Sequence, residues 1–152
     1  LAVVESICTV GELMHVVEEA MPALVVVDYV QQYRTGDQQA DSSEYARVSA
    51  VAADVQSMAL VLKVPVLELS SLRKLSKQDD EPSLDWFRGS GVIGYAAQAA
   101  IIITRGEDEA DGSRHVGLAV AKNKSGRAGH SVPARLYGAW GVLREEAGDG
   151  RQ

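Results

Sequence analysis

The sequence predicts an α/β fold: a mostly parallel sheet flanked by helices and finished by antiparallel strands. Three observations predict it. Apolar runs of strand length alternate with stretches whose apolar residues recur at three and four. One of those runs, "ALVVVD" at 23–28, is continuous, as expected of a strand covered on both faces. The last third of the chain, by contrast, is strand-rich and folds back around a glycine-rich turn, "SGRAG".

In order, "LAVVES" reads as a short buried strand from its β-branched content. It lacks an initiator Met and starts within the strand-like run, which leads us to expect a piece of a longer protein. Thr9 with Glu12 three residues on is a capping box, opening a helix whose face is Leu13, Val16, Val17 and Ala20 and which stops before Pro22. After the "ALVVVD" strand, "YRTGDQQADSS" is a polar loop carrying Gly36. From Ser43 or Glu44 the period becomes helical, with Val48, Val51, Ala52, Val55, Met58, Ala59 and Leu62 on one side of about five turns. "VPVLELS" is the next strand and "SLRKLSKQDDEPSLD" a charged loop. "AAQAAIIIT" gives a short helical lead-in and a strand, and "GEDEADGSR" an acidic hairpin connection. "HVGLAVAKNK" and "HSVPARLYGAWGVLRE" are the closing strands. No internal repeat is visible.

Composition narrows the function. A chain of 152 residues can bury one core, and 46% apolar with 24% charged residues fits a soluble globular domain. The net charge of −6 argues against nucleic acid binding over the whole surface and leaves room for a local basic strip. No apolar run is long enough to span a bilayer, and no stretch resembles a signal peptide. The single Cys8 excludes an internal disulfide and a cysteine-based zinc site, and it fits a reducing cytosol, so the expected location is cytoplasmic. His15, His115 and His130 lack metal-ligand spacing.

Sheets of this kind place ligands at the carboxyl ends of their strands. Asp28, Ser70, Ser71 and Lys122 all fall at or just past such ends. A carboxylate after "LVVV" can hold a hydrated magnesium ion, since that ion keeps most of its waters and needs one or two carboxylates. In nucleotide-hydrolysing sheets this is the Walker B position. The plainer alternative is an Asp that caps the following loop. Trp86 and Phe87 could stack on bases, with anchoring of their loop against the core the favoured reading. Tyr137 and Trp140 are expected to pack within the closing strands. Ser70 and Ser71 have no His and Asp at convincing positions for a serine hydrolase. Lys122, Lys124, Arg127, His130 and Arg135 form a basic strip around a glycine-rich turn, either a solvated surface or a face toward phosphates or a neighbouring subunit.

Several stretches together resemble the C-terminal RecA-like ATPase domain of DnaB-type replicative helicases. "DYVQ" is similar to that family's Asp-Tyr-aliphatic-Gln element. "VPVLELSSLRK" resembles its sensor strand ending in Leu-Ser-Gln-Leu-Asn-Arg, and "FRGSGVIGYAAQAAIII" resembles the Arg-Glu-Ser-Gly segment and the strand after it. "VAKNKSGRAG" resembles its Ala-Lys-Asn-Arg-Asn-Gly segment. The matches are collinear over nearly the whole chain. They imply one partial RecA-like P-loop NTPase domain over 1–152, from just ahead of Walker B onward, with a flexible tail over 145–152.

The resemblance implies ATP and Mg²⁺ as cofactors, with Asp28 on the metal through water. It places Ser71 where the family senses the γ-phosphate with Gln. Lys122 and Lys124 stand where a Lys and an Arg reach the neighbouring subunit's nucleotide, so Asp28, Ser71, Lys122 and Lys124 form the implied catalytic set. Arg88, Gly89 and Gly91 fall on the loop that holds single-stranded DNA. The implied partners are that DNA and further copies of the chain in a ring, a hexamer, with no membrane. The implied activity is ATP-driven translocation and duplex unwinding in DNA replication. Departures are also plain. Ser71 is shorter than Gln, Gly89 replaces an acid, and Gly94, Tyr95, Ala96 and Gln98 replace Glu, Gln, Asp and Asp. Lys124 keeps the charge of Arg without its planar fork. No G-x-x-x-x-G-K-[ST] occurs, and in the family that loop would lie upstream of Leu1. This chain alone is therefore expected to be inactive within an active parent. The alternative is a degenerate, non-catalytic RecA-like domain for assembly or DNA binding.

Overall fold

Two helices, each opened by a hydroxyl cap, set the framework in the computed structural model, which describes residues 2–5, 9–76, 81–89 and 91–146. Helix α1 (Val10–Ala20) starts at Thr9, whose side chain accepts from the Glu12 amide while the Glu12 carboxylate accepts from the Thr9 amide. Both amides would otherwise lack partners at a helix start. Helix α2 (Glu44–Leu62) starts at Ser43, whose hydroxyl accepts from the Ala46 amide at 3.0 Å. Both helices end in left-handed residues that are not glycine, Met21 (φ 43°) and Lys63 (φ 53°).

The described chain divides into two compact units, Leu1–Ser76 with Asp85–Ala97, and Lys77–Leu84 with Gln98–Gln152. In the first, strands β1 (Val25–Val27) and β2 (Val66–Glu68) pair in parallel, Val25 opposite Val66 and Val27 opposite Glu68. Parallel neighbours need a long crossover, and α2 supplies it. The core comprises Val10, Leu13 and Val17 of α1, Val25 and Val27 of β1, Val30 after it, Val48, Val51, Ala52, Val55 and Met58 of α2, Val64, and Ile93 of α3 (Val92–Ala96). Gln56 ties α2 to α3 by donating to the Ala96 carbonyl at 2.9 Å.

The second unit is an antiparallel meander of β3 (Ala99–Asp108), β4 (Ser113–Asn123), β5 (His130–Tyr137) and β6 (Val142–Glu145), in that spatial order. Gly117 lies between β3 and β5, where a Cβ would come 2.5 Å from Thr104 Oγ1. Only glycine fits that crossing without displacing a neighbour. His115 on β4 has Glu146 at Nδ1 (2.8 Å) and Glu109 at Nε2 (2.7 Å), and Arg135 on β5 donates to Glu146. Those two carboxylates, Glu109 foremost, hold the imidazole above its ordinary pKa of 6.5.

Several expectations change. Among the described residues the parallel arrangement is limited to β1 and β2, and four of the six strands are antiparallel. Strand pairing is non-local, so a local pattern reports that a strand exists without naming its neighbour. The "ALVVVD" strand is covered on one face only, because Val26 is 53% exposed between buried Val25 and Val27. Residues 2–5 of the predicted first strand form no ladder among the described residues, and Leu1 and 6–8 lie outside them. Trp140 is 76% exposed in a 3₁₀ turn, stacked on Tyr137 at 5.8 Å rather than packed within the strands. Trp86, in contrast, is buried and Phe87 packs against the core, as expected for loop anchors. Of the predicted tail, 147–152 lies outside the described residues; Glu145 closes β6 and Glu146 is bonded to His115 and Arg135.

Candidate functional site

Asp28 follows β1 directly. On either side of it Val27 and Val30 are fully buried, and that anchoring leaves the carboxylate facing outward. Asp28 is exposed and has no side-chain partner among the described residues. The Asp28–Tyr29 peptide is cis. The chain then makes a 3₁₀ turn over Val30–Gln32. Backbone bonds tie this exit to that of β2: Leu69 N–H donates to Val27 O at 2.9 Å, and Val30 N–H donates to Leu69 O at 3.0 Å.

Beyond Leu69 a second ladder begins. Arg88 N–H donates to Ser71 O at 2.9 Å, Arg73 N–H donates to Trp86 O at 2.7 Å, and Leu72 pairs with Phe87. The end of the 3₁₀ turn Leu84–Trp86 and the residues after it are thereby pinned to the exit of β2, with Trp86 as the buried anchor. Gln31 closes the arrangement from the β1 side. Its Nε2 donates to Ser70 Oγ at 2.8 Å and to Arg88 O at 3.0 Å, while its Oε1 accepts from Ser71 N–H at 3.2 Å.

The Arg88 guanidinium points to α2, where Nε meets Glu44 Oε1 at 3.1 Å; both side chains are exposed. Gly89 has φ +90° and lies against α2, where a Cβ would sit 3.1 Å from Val48 Cγ2. A side chain there would meet both a disfavoured conformation and a packed valine. Gly91 precedes α3 with room beside it, since a Cβ there would lie 3.8 Å from Tyr95 Cε2. Ser90, between them, lies outside the described residues.

In the second unit, Lys122 and Lys124 flank Asn123 where β4 ends. Asn123 Oδ1 accepts from Ser125 N–H at 3.0 Å, and Gly129 N–H donates to Val120 O at 2.8 Å, shaping the turn into β5. Lys124 N–H donates to Gln98 O at 2.9 Å, and its ammonium has no partner among the described residues. Partial burial, and then the charge of Lys124, lower the Lys122 pKa below its ordinary 10.5. Two cations thus share one short turn.

The DnaB-like helicase C terminal domain family matches residues 8–134. The chain belongs to that family. Among solved structures, one titled "The Structure Of A DnaB-Like Replicative Helicase And Its Interactions With Primase" is similar with a TM-score of 0.75 and 23% identity. The similarity covers 90% of this chain and 36% of that one, so this chain spans about a third of that helicase's length. No curated protein matches the chain.

Within this DnaB-like domain, the first unit contains Asp28, Ser71, Arg88, Gly89 and Gly91, and the second contains Lys122 and Lys124. Ser71 and Arg88 are joined directly through their backbones. Two participants, Glu44 and Glu68, were not singled out in the sequence, and Gln31 was singled out only as the last residue of "DYVQ". The partners of Gln31 and Glu44 could not be read because they lie 57 and 44 residues away in the chain. Glu68 carried a faint signal, an acid two positions after Val66 and hence on the same strand face. Its Oε1 is buried without a hydrogen-bond partner among the described residues, and burial pushes its pKa up from 4.5 to about 7. Among the described residues, no three or more His, Cys, Asp or Glu are grouped to hold a metal, and no helix is long and apolar enough to cross a membrane.

Proposed function

We propose that this domain is the Walker B-bearing part of a RecA-like ATPase in a DnaB-like helicase, one domain over the whole chain, whose parent ring hydrolyses ATP to move along single-stranded DNA. The observation that supports it most is Asp28: an exposed carboxylate without a partner among the described residues, at the carboxyl end of a strand in a parallel pair. A lone carboxylate suits Mg²⁺, which keeps several waters and takes its other ligands from phosphate oxygens. When bound, the metal would neutralise phosphate charge. Asp28 would orient it by accepting hydrogen bonds from its waters.

The other residues take roles by position. Ser71 would face the γ-phosphate with a hydroxyl where the family uses an amide. Lys122 and Lys124 would reach the nucleotide of the next protomer and stabilise charge developing during phosphoryl transfer. Arg88, Gly89 and Gly91 would line the DNA path, with Arg88 giving a charge-assisted bond to phosphate. The chain has no phosphate-loop motif, so the triphosphate cradle is not built from these residues. The assay is ATP hydrolysis by the full-length protein with and without single-stranded DNA. Turnover that depends on Asp28 and rises with DNA supports the motor. Its absence favours the second reading, a non-catalytic assembly or DNA-binding domain, which the short Ser71 side chain and the uncharged Gly94, Tyr95, Ala96 and Gln98 support.

The Arg88–Glu44 pair gives a separate expectation. DNA phosphate engaging the guanidinium would compete with Glu44 for its charge, and an exposed ion pair contributes about 0.2–1 kcal/mol. Glu44→Gln should therefore tighten single-stranded DNA binding by about two- to fivefold at low salt, with the gain fading as salt rises. Fluorescence anisotropy with a labelled oligonucleotide at two salt concentrations measures it. Unchanged affinity would remove Arg88 from the DNA path.

A further inference from the structure

We infer that Gln31 is the positioning residue that couples the nucleotide-sensing position to the DNA-facing loop, an inference that rests on the motor reading above. A side-chain amide offers two N–H donors and one carbonyl acceptor in a fixed plane. Gln31 uses all three functions on three different partners: the Ser70 hydroxyl, the Ser71 amide and the Arg88 carbonyl. Those partners are bonded among themselves, because Ser70 Oγ donates to Ser71 O at 3.3 Å and Arg88 N–H donates to that same oxygen at 2.9 Å. The result is a closed ring of hydrogen bonds joining the exits of β1 and β2 to the loop carrying Arg88 and Gly89.

The ring has a mechanical consequence. Gln31 lies three residues after Asp28 in a turn fixed by fully buried Val30, so its own base does not drift. If Ser71 shifts as phosphate comes or goes, its amide pulls on Gln31 Oε1. The amide plane then tilts, and Nε2 shifts against the Arg88 carbonyl. Displacement at position 71 thus becomes displacement at position 88 without the side chains of those residues touching. The direct bond from Arg88 N–H to Ser71 O carries part of such a shift, and Gln31 adds a second link, from the Ser71 amide to the Arg88 carbonyl. The coupling is reciprocal: if nucleotide changes DNA affinity by some factor, DNA changes nucleotide affinity by the same factor.

The test uses the full-length protein and two ratios. One is the Kd for a labelled oligothymidine without nucleotide divided by that with a non-hydrolysable ATP analogue and Mg²⁺; the other is kcat with DNA divided by kcat without it. In wild type the first ratio should differ from one by about fivefold or more. Gln31→Leu removes all three bonds at similar volume, and Gln31→Glu keeps the acceptor while placing a carboxylate oxygen against the Arg88 carbonyl. Both should move each ratio at least halfway to one on a logarithmic scale, the direct Ser71–Arg88 backbone bond remaining. Ser70→Ala, which removes the two bonds of its hydroxyl and leaves those from Gln31 to Ser71 and Arg88, should retain more of the coupling. A residue that only supports the fold would alter both affinities alike and leave the ratios standing; that result overturns the inference. Gln31 variants with wild-type ratios overturn it too. If wild type itself shows neither hydrolysis nor any nucleotide effect on DNA affinity, the motor reading fails and the relay falls with it. Melting temperatures of every variant identify those that have lost their fold, and for these Gln31→Asn, which keeps the amide but shortens its reach, replaces the failed variant under the same two outcomes.

Discussion

Replacing Asp28 with Ala in the full-length protein is expected to lower Mg²⁺-dependent ATP turnover by about 10²- to 10³-fold, the scale of losing one group that stabilises developing charge. The melting temperature should hardly move. Asp28 is exposed and has no side-chain partner to lose among the described residues, while the burial that holds the turn belongs to Val27 and Val30. Asp28→Asn separates charge from shape: it should need more Mg²⁺ to reach half its own maximal rate than wild type does. Steady-state rates across a Mg²⁺ titration measure both effects. Turnover indifferent to Asp28→Ala would end the assignment of this carboxylate to the metal.

The second large effect concerns stability and comes from Glu68. Its carboxyl is pushed up to about 7 from an ordinary 4.5 by burial alone. Between those values the native state holds a proton that the unfolded chain has released. Stability is therefore greatest below about pH 4.5 as far as this group is concerned, and it is lost as pH rises toward and through 7. A shift of that size corresponds to about 3 kcal/mol. Glu68→Met fills a similar volume without a charge, so its advantage over wild type should be small at pH 5 and should grow to about 2–3 kcal/mol at pH 8. Urea denaturation of both proteins at the two pH values gives the difference directly. A constant difference would mean that Glu68 finds a partner in solution.

What the sequence revealed was governed by range. The starts of α1 and α2 could be read because a cap and its partner lie within three residues, Thr9 with Glu12 and Ser43 with the Ala46 amide. Gly36, with φ +81°, fell where a turn residue was expected. Trp86 was legible as an anchor because two large aromatic residues, Trp86 and Phe87, stand together at the end of a charged loop. The exposure of Val26, Leu67, Ile101 and Ile103 was not legible, since an apolar run records no difference between a covered face and an open one. Nor was the fate of Trp140, which depends on a 3₁₀ turn between β5 and β6 rather than on its own hydrophobicity. At the site, Asp28 and Lys122 were visible as residue types at strand ends, and Lys124 through the basic strip and the resemblance. The ring around Gln31 needed the pairing of segments 40 and 57 residues apart, which no local pattern encodes.

The left-handed endings of α1 and α2 also leave the molecule with spare thermal endurance. Met21 and Lys63 adopt a backbone shape that costs a residue with a Cβ about 1–2 kcal/mol and that glycine adopts without a clash, its extra freedom in the unfolded chain offsetting about 0.5–1 kcal/mol of the gain. Their solvent-facing side chains contribute little in return. Converting both positions to glycine should raise the melting temperature by several degrees for a domain of this size, at two positions outside the proposed site.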